Sequence, residues 1–226
     1  TSGLKRAGYN GITWAEFTPE QVDVQIESAI EPFRQTGTPF TWWVGPLSQP
    51  RNLGAKLQAH GFVHNRDMIG MAANLKQLPP LKKTSLEYTF EPVTNRKELE
   101  AWMPVYMEAF SVPAVDAPNT LDVFEQLGLA PGSDWRHFVL RLPDGRIAAT
   151  SSLYLGAGIA GLYNIGTPQA FRQQGLGAAI TLLTYAQARE WGYQIGTLQS
   201  TFPNALRLYH RLGFEIYCKI GVYQHP

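Results

Sequence analysis

Hydrophobic residues follow helical and strand-like spacings through the first third of the chain. A helix is predicted from Thr18-Pro19 to Gly37, since a proline suits the first turn and a glycine the end. Its apolar face comprises Val22, Ile26, Ile30 and Phe33. Shorter apolar runs predict a strand over Phe40–Val44, a helix over Leu53–Ala59 and a strand over Met68–Leu75.

The pattern changes after Lys76–Ser85, which is rich in proline and lysine and is predicted to be a linker. A capping box of Asn95 and Glu98 predicts a helix that runs to about Phe110. Alternating runs and turn signals predict the other elements: strands over 86–93, 135–142, 146–155, 159–167 and 195–200, helices over 121–129, 176–191 and 203–212, and one or two strands over 213–223. The order after the linker is β-α-α-β-β-β-α-β-α-β.

Composition and charge narrow the function classes. The 226 residues are 44% hydrophobic and 16% charged, as in an ordinary globular protein. A formal net charge of +1 gives no field that favours nucleic acid or an anionic membrane, and neither is predicted as a partner. Apolar runs are shorter than the roughly 18 residues of a membrane helix. The start of the sequence lacks the pattern of a signal peptide. The single cysteine, Cys218, excludes an internal disulfide and argues against a metal site, so a cytoplasmic location is expected.

Two glycines, Gly175 and Gly177, stand where the predicted helix over 176–191 begins, and each costs about 1 kcal/mol there relative to alanine. A dinucleotide fingerprint, G-x-G-x-x-G, is present nearby at Gly156, Gly158 and Gly161. It is not followed by a helix or by the expected acidic residue, so a turn between two strands is predicted there. A nucleotide phosphate loop is excluded because no lysine follows either glycine of the pair.

Two explanations for Gly175 and Gly177 remain open from these residues alone. The first N–H groups of a helix have no internal partner and carry the positive end of its dipole. Without β-carbons, an anion such as a phosphate approaches those N–H groups closely, and Arg172 would add a positive charge. Alternatively, the glycines allow the helix to pack tightly on a strand.

The segment RQQGLG, Arg172–Gly177, matches the [RQ]-x-x-G-x-[GA] loop of the GNAT superfamily, the acetyl-CoA-dependent N-acyltransferases. The segment LYHRLGFE, Leu208–Glu215, resembles the family's L-Y-x-x-x-G-F segment. The order of elements is also similar, and the resemblance covers about residues 84–226. It implies an α/β (α+β) GNAT fold, with a mixed, mostly antiparallel central sheet flanked by helices.

The resemblance also implies a binding site for acetyl-CoA as co-substrate. The backbone amides of residues 173–178 would hold the coenzyme A pyrophosphate, beside Arg172: they belong to Gln173, Gln174, Gly175, Leu176, Gly177 and Ala178. The strand Tyr163–Thr167 would splay from the strand over 195–200, and the pantetheine arm would pair with its free edge. Ile165, Gly166 and Thr167 are the expected contacts.

The resemblance assigns the general acid to Tyr209, which would protonate the leaving thiolate. The family often has an asparagine seven residues earlier, but that position here is Phe202. Asn204 lies five residues before Tyr209 and is a weaker candidate for coenzyme contact or for capping the helix.

A base or a water relay must accept the proton of the attacking amine. The carboxylates Glu108 and Asp116 and the hydroxyl of Tyr154 are candidates, although structural roles are more common for such residues. Trp102, Tyr106, Phe110 and Phe124 would either shape an acceptor pocket or belong to the core. The acceptor is expected to be a small-molecule amine or a protein amine.

The first half of the chain carries a fainter echo of the second. KLQAHGF (Lys56–Phe62) resembles LYHRLGF (Leu208–Phe214), with Leu57 opposite Tyr209. We therefore expect a degenerate, partial GNAT-like domain over 1–80 and a catalytic domain over 84–226. The leading prediction is an N-acetyltransferase. The alternative is a non-catalytic acyl-CoA-binding sensor or scaffold. A homodimer is compatible with either function.

Overall fold

The computed structural model describes residues 7–225, which fold into two compact units. Unit 1 comprises residues 7–70, 200–203 and 216–225, and unit 2 comprises Met71–Gln199 and Asn204–Glu215. The helices are α1 (Val22–Thr36), α2 (Leu53–Ala59), α3 (Arg96–Phe110), α4 (Ala117–Gly128), α5 (Leu176–Glu190) and α6 (Pro203–Arg211). The strands are β1 (Gly11–Ile12), β2 (Thr41–Val44), β3 (Val63–Asn74), β4 (Thr89–Val93), β5 (Trp135–Arg141), β6 (Ile147–Gly156), β7 (Ile159–Gly166), β8 (Ile195–Ser200) and β9 (Glu215–Gln224). The expected domain over 1–80 begins outside the described residues.

Unit 1 is built on strands in the order β1-β2-β9-β3. Strand β9 follows α6 in the chain, yet it pairs with β2 in antiparallel register, with Trp42 opposite Tyr223. The apolar face predicted for α1 is buried, and its four residues join Trp42 in the core: Val22, Ile26, Ile30 and Phe33. None of the helices within residues 7–225 has the length and apolar character needed to cross a bilayer.

Unit 2 contains the strand order β8-β7-β6-β5-β4, in which β7 and β8 are parallel and the other neighbours are antiparallel. Helices cover both faces. Because successive strand residues point to opposite faces, Ser151 contacts Thr184 of α5, whereas Ser152 contacts His137 on the face covered by α3 and α4. The mixed, mostly antiparallel sheet with flanking helices confirms the predicted fold class.

Most predicted boundaries agree with the structure, and two of the differences have clear causes. Helix α1 begins at Val22, because the N–H of Gln21 bonds back to Thr18 and closes a separate turn. Strand β3 begins at Val63, five residues before the predicted start at Met68. Its first four residues are exposed and form no alternating apolar pattern, so hydrophobicity could not reveal them.

The predicted turn in the false dinucleotide motif is present. Gly156 ends β6 and pairs directly with Ile159, the first residue of β7. The two residues between them, Ala157 and Gly158, have φ values of 50° and 77°. Positive φ at both central positions is typical of a tight hairpin turn. Gly156 and Gly158 therefore belong to the hairpin turn, Gly161 lies within β7, and the motif opens no helix.

Candidate active site

Strands β7 and β8 separate part of the way along their length. Their parallel pairing runs from Ala160–Gly196 to Leu162–Leu198 and ends there, although both strands continue. Among the described residues, the edge of β7 from Tyr163 to Gly166 has no strand partner on the β8 side. A backbone edge of this kind offers N–H and C=O groups to an extended ligand. The predicted splay is therefore seen in the structure, and Ile165 and Gly166 lie on it.

A β-bulge shapes the same part of β7. On the β6 side, Tyr163 is opposite Ser152 and Gly166 is opposite Thr150, so β7 carries one extra residue in between. Asn164 lies in the bulge with a φ of 52°, a left-handed conformation that asparagine tolerates better than most residues. The bulge turns the backbone just before Ile165 and so determines how the free edge is presented.

Gly166 has its own steric reason to be a glycine. A β-carbon there would lie 2.9 Å from the Thr150 hydroxyl and 3.0 Å from the Ala109 side chain. The following residue, Thr167, is half-buried, and its carbonyl accepts a hydrogen bond from Arg172 Nε over 3.1 Å. The Thr167 carbonyl therefore already accepts one hydrogen bond, which leaves its N–H as the stronger backbone candidate for a ligand contact.

Arg172 lies at the entrance to the glycine loop. Its side chain is exposed, and Nη1 and Nη2 make no hydrogen bond to any other residue within 7–225. The bond from Nε to Thr167 fixes the base of the guanidinium group and leaves its outer edge free. A guanidinium held in this way can bind a phosphate with two parallel hydrogen bonds.

The loop itself is held in an unusual backbone conformation. Gln173 has a φ of 62° and Gly175 a φ of 84°, so two of the loop residues are left-handed. Gln174 is half-buried, and its amide nitrogen donates to the Ala170 carbonyl over 3.2 Å. Left-handed backbone at non-glycine residues is concentrated at functional sites. The strain at Gln173 is therefore consistent with a ligand-binding loop.

Helix α5 follows with an open N-terminus. Gly175 is its N-cap and provides no side-chain hydrogen bond, and the first turn contains no acidic residue. The first intrahelical bond of this turn runs from the Ala179 N–H to the Gly175 carbonyl. Three N–H groups therefore lack intrahelical partners and carry the positive end of the helix dipole: those of Leu176, Gly177 and Ala178.

Gly177 helps to distinguish the two explanations for the glycines. A β-carbon there would lie 3.6 Å from Leu208 of α6 and 3.7 Å from the Thr167 hydroxyl, which are ordinary contact distances. Protein packing therefore does not require a glycine at this position. Gly175 does require one, because its φ of 84° disfavours any side chain.

Tyr209 lies on α6, one residue after Leu208. Its side chain is 5% exposed, and its ring meets Phe214 edge to face at 6.2 Å. Burial raises the pKa of Tyr209 above its usual range, so the phenol stays protonated at neutral pH. Its hydroxyl makes no hydrogen bond to another residue within 7–225. An unpaired phenol proton is available to a ligand.

The remaining predicted site residues have other surroundings. Asn204 is exposed in the first turn of α6, where its side-chain oxygen accepts a hydrogen bond from Arg207. The Glu108 carboxylate accepts a 2.6 Å hydrogen bond from the Gln169 N–H. Tyr154 is partly exposed and contacts the Trp135 ring. Asp116 is half-buried at the start of α4 and has a partner in the protein.

The aromatic residues considered for an acceptor pocket belong mainly to the core. Three of them are buried and lie with their rings about 5 Å apart: Trp102, Tyr106 and Phe124. Phe110 alone is substantially exposed, at 39%. Among residues 7–225, no group of three or more His, Cys, Asp or Glu side chains is placed to hold a metal ion.

Sequence reasoning did not identify the residues that support the bulge or the loop. The side chains of Ser152 and His137 reach Asn164 through hydrogen bonds across three strands. Two residues of the predicted linker approach the loop: Thr84 near Gly175, and Ser85 at 3.5 Å from the Gln174 side chain. The one available signal was Asn164, an asparagine within an otherwise strand-like run.

Comparison with known proteins identifies the family to which this fold belongs. Residues 76–196, more than half of the chain, match the family described as acetyltransferase (GNAT) domain. The chain therefore belongs to the GNAT acetyltransferase family. A search of curated proteins finds no significant match.

Solved structures of the family share the fold. A GCN5-related N-acetyltransferase from Kribbella flavida is 22% identical, with a TM-score of 0.74, covering 96% of this chain and 79% of its own. A GCN5-related N-acetyltransferase from Sphaerobacter thermophilus is 19% identical, with a TM-score of 0.69. The match covers 98% of the present chain and 74% of that protein. A tandem GNAT protein from the clavulanic acid biosynthesis pathway is 16% identical, with a TM-score of 0.60. The match covers 89% of the present chain and 68% of that protein. At these identities the similarity concerns the fold.

Proposed function

We propose that this protein is an acetyl-CoA-dependent N-acetyltransferase that acetylates a primary amine, with residues 84–226 as the catalytic domain. Membership of the GNAT family implies acyl-CoA binding in general terms. The observation that carries the more specific proposal is the separation of β7 from β8 after Leu162–Leu198, close in sequence to the open N-terminus of α5. This arrangement suits a ligand with an extended amide-rich arm and a pyrophosphate.

The proposed coenzyme site has two parts. The pyrophosphate would bind the free N–H groups at the start of α5, with the outer edge of Arg172 beside it. The pantetheine arm would lie along Tyr163–Gly166 and form the hydrogen bonds that β8 does not make. Asn204 is the weakest of the predicted contacts, because its side chain is already paired with Arg207.

The reaction forms a C–N bond and breaks a C–S bond. A neutral amine attacks the thioester carbonyl, the carbonyl oxygen becomes an oxyanion, and coenzyme A leaves as a thiolate. A backbone N–H on the free edge of β7 would stabilise the oxyanion, a contribution of about 3 kcal/mol for one well-placed donor. The amine loses a proton to a base or to water.

Tyr209 is the proposed general acid. Its raised pKa keeps the phenol protonated, and its hydroxyl is not engaged elsewhere among the described residues. A thiol has a pKa of about 8.5, below that of the buried phenol. We therefore expect Tyr209 to act mainly by donating a hydrogen bond to the sulfur as negative charge develops there and the C–S bond breaks.

The first half of the chain is proposed to be a degenerate, partial GNAT-like unit over 1–80. Helices α2 and α6 end in the same way. The Phe62 N–H bonds to the Leu57 carbonyl at 3.0 Å, and the Phe214 N–H bonds to the Tyr209 carbonyl at 3.0 Å. The glycine before each phenylalanine is left-handed. Leu57 thus occupies the position of Tyr209, which supports a repeat that lacks the acid.

A non-catalytic acyl-CoA-binding sensor or scaffold is the second candidate. It is favoured by one observation: the two carboxylates considered as bases, Glu108 and Asp116, already have partners in the protein. The two functions share the coenzyme site and differ in turnover. The acceptor, a cytoplasmic location and a homodimer stay predictions.

Thermal unfolding with acetyl-CoA tests the coenzyme site, with NADH and ATP as controls. A ligand at 100 times its Kd adds about 2.7 kcal/mol to the free energy of unfolding, enough for a clear rise in Tm. Arg172→Gln should weaken acetyl-CoA binding roughly tenfold through loss of a charged hydrogen bond. The matched control is Arg189→Gln, in the last turn of α5.

The outcomes separate the candidates. A rise in Tm with acetyl-CoA alone supports the coenzyme site, whereas no rise would overturn it. Thiol release from acetyl-CoA in the presence of a panel of primary amines then supports the transferase. Binding without thiol release for any amine in the panel would favour the sensor or scaffold.

A further inference from the structure

A hydrogen-bond chain of buried and half-buried polar groups runs across the sheet of unit 2 beneath α3 and α4. Asn164 Nδ2 lies 3.0 Å from Ser152 Oγ, and Ser152 Oγ lies 2.7 Å from His137 Nδ1. His137 Nε2 lies 3.3 Å from the Phe124 carbonyl oxygen. These groups come from β7, β6, β5 and α4. The proposed acetyl transfer assigns no role to the side chains of these residues.

The direction of every hydrogen bond in this chain is fixed by chemistry. The Phe124 carbonyl can only accept, so Nε2 of His137 carries the ring proton. Nδ1 is then an acceptor and takes the hydroxyl proton of Ser152. The serine oxygen in turn accepts from the Asn164 amide. Each group has one role, so the chain holds Asn164 in one orientation.

The protein is shaped around the imidazole of His137. The ring is 1% exposed, and Trp102 and Phe124 lie about 5 Å from it. A β-carbon on Gly128 would lie 2.1 Å from Nε2, so α4 can end here only with a bare backbone. Burial lowers the pKa of His137 to about 4, which keeps the ring neutral at ordinary pH. Burial of a polar ring such as this one costs free energy unless its nitrogen atoms are hydrogen-bonded.

At its other end, this hydrogen-bond chain reaches the β-bulge on the free edge of β7. Asn164 has a φ of 52°, and its carbonyl accepts a hydrogen bond from Thr150 Oγ1 at 3.3 Å. The side chain and the carbonyl of this one residue are therefore both tied to β6. Ile165 follows directly and is half-buried on the edge that β8 leaves free.

We propose that Ser152 and His137 are positioning residues, which act through Asn164 to hold the β7 bulge in the geometry that presents the backbone of Ile165 to acetyl-CoA. This inference rests on the proposed function for the identity of the ligand. The bulge itself exists without a ligand. Its support can therefore be measured independently of binding.

Ser152→Ala is the test, and Ser151→Ala is its matched control. Both serines are fully buried neighbours on β6. Ser151 bonds to Thr184 of α5 at 2.8 Å on the opposite face and has no link to Asn164. Ser151→Ala loses one side-chain hydrogen bond and Ser152→Ala loses two, so both should lower Tm, but only Ser152→Ala removes the support of the bulge.

Three quantities are measured on each full-length variant: Tm, hydrogen exchange of the amides in 163–167 without ligand, and the Kd for acetyl-CoA. Ser152→Ala should speed exchange at 163–167 and raise the Kd about tenfold, the equivalent of one hydrogen bond. Ser151→Ala should leave both unchanged. Asn164→Gly should also raise the Kd while keeping Tm, because glycine suits the left-handed backbone.

Equal rates of hydrogen exchange at 163–167 in the two serine variants would overturn the proposal, because the hydrogen-bond chain would then contribute only to the stability of the core. Unequal exchange with equal acetyl-CoA affinity would also overturn it, since the bulge would not matter for the ligand. If the unmodified protein does not bind acetyl-CoA, the proposed function fails, and the ligand part of this inference is overturned with it. The hydrogen-exchange rates would still decide whether the hydrogen-bond chain supports the bulge.

Discussion

The Glu108 carboxylate at the end of α3 accepts a hydrogen bond from the Gln169 N–H over 2.6 Å. Gln169 begins the short 3-10 turn Gln169–Phe171, directly before the glycine loop. Glu108 therefore anchors the approach to the loop. We predict that Glu108→Gln retains most activity, because an amide oxygen can accept the same bond, whereas Glu108→Ala loses about 1 kcal/mol of stability.

Steady-state rates and Tm for the two Glu108 variants distinguish an anchor from a base. An anchor is rescued by glutamine. A general base is not, because glutamine cannot take a proton, and both variants would then lose the same large factor in kcat. That second pattern would restore Glu108 as the base.

Tyr209→Phe should lower kcat by about 10²-fold, the usual contribution of a general acid. The Kd for acetyl-CoA should change little, because the ring and its contact with Phe214 are kept. Rates with a fixed amine and calorimetric binding give the two values. Unchanged turnover would refute the acid assignment. Tyr217→Phe, on an exposed tyrosine, is the control.

Gly175→Ala and Gly177→Ala should have opposite effects on stability. Gly175 has a φ of 84°, so alanine there costs about 1–2 kcal/mol. Gly177 has room for a β-carbon at 3.6 Å from Leu208, so alanine should stabilise the helix by about 1 kcal/mol. Urea unfolding measures both. Destabilisation by Gly177→Ala would mean that its bare backbone serves packing after all.

His137 should make the protein less stable in acid. Burial lowers its pKa from 6.5 to about 4. Between these values the unfolded chain binds a proton that the folded protein excludes, so the free energy of unfolding falls as pH drops from 6.5 towards 4. The full effect on the free energy of unfolding is about 3 kcal/mol. Unfolding across this window should be less pH-dependent in His137→Gln, and an equal slope in both proteins would contradict the assignment.

His60 should have the opposite effect to His137 and should stabilise the protein more at low pH than at high pH. Burial works to lower its pKa, but hydrogen bonds to Asp23 and Glu27 outweigh burial and raise the pKa above 6.5. The stabilisation from protonated His60 is complete below pH 6.5 and is lost as the pH rises through the pKa of His60 in the folded protein. His60→Gln should lose stability at low pH and little at high pH. Because the carboxylates are exposed, added salt should weaken the effect.

Local signals predicted the elements well. The Asn95 side chain caps α3 by accepting the Glu98 N–H, as the capping box requires, although the Glu98 carboxylate returns to Thr94 instead of Asn95. The hairpin at Gly156 could be recognised because turn chemistry depends on adjacent residues. Such features need no knowledge of the rest of the fold.

Long-range relationships could not be predicted. His137 stands in an alternating strand and gives no sign that it meets Ser152, fifteen positions away, or the end of α4. Trp102 and Phe124 suit either a pocket wall or a core, and only their mutual burial decides the matter. The glycine loop over 172–177 could be recognised because its glycines violate helix propensity, whereas the residues that support the β7 bulge violate no local rule.

The pairing of β2 with β9 has a consequence for biosynthesis. A ribosome completes α1, β2 and α2 early and must then translate the whole of α3 to α6 before β9 emerges. Until then the edge of β2 that β9 covers has no partner, and an unpaired strand edge invites association with other chains. During synthesis the nascent polypeptide therefore exposes an edge of β2 that only the last strand to be made can cover.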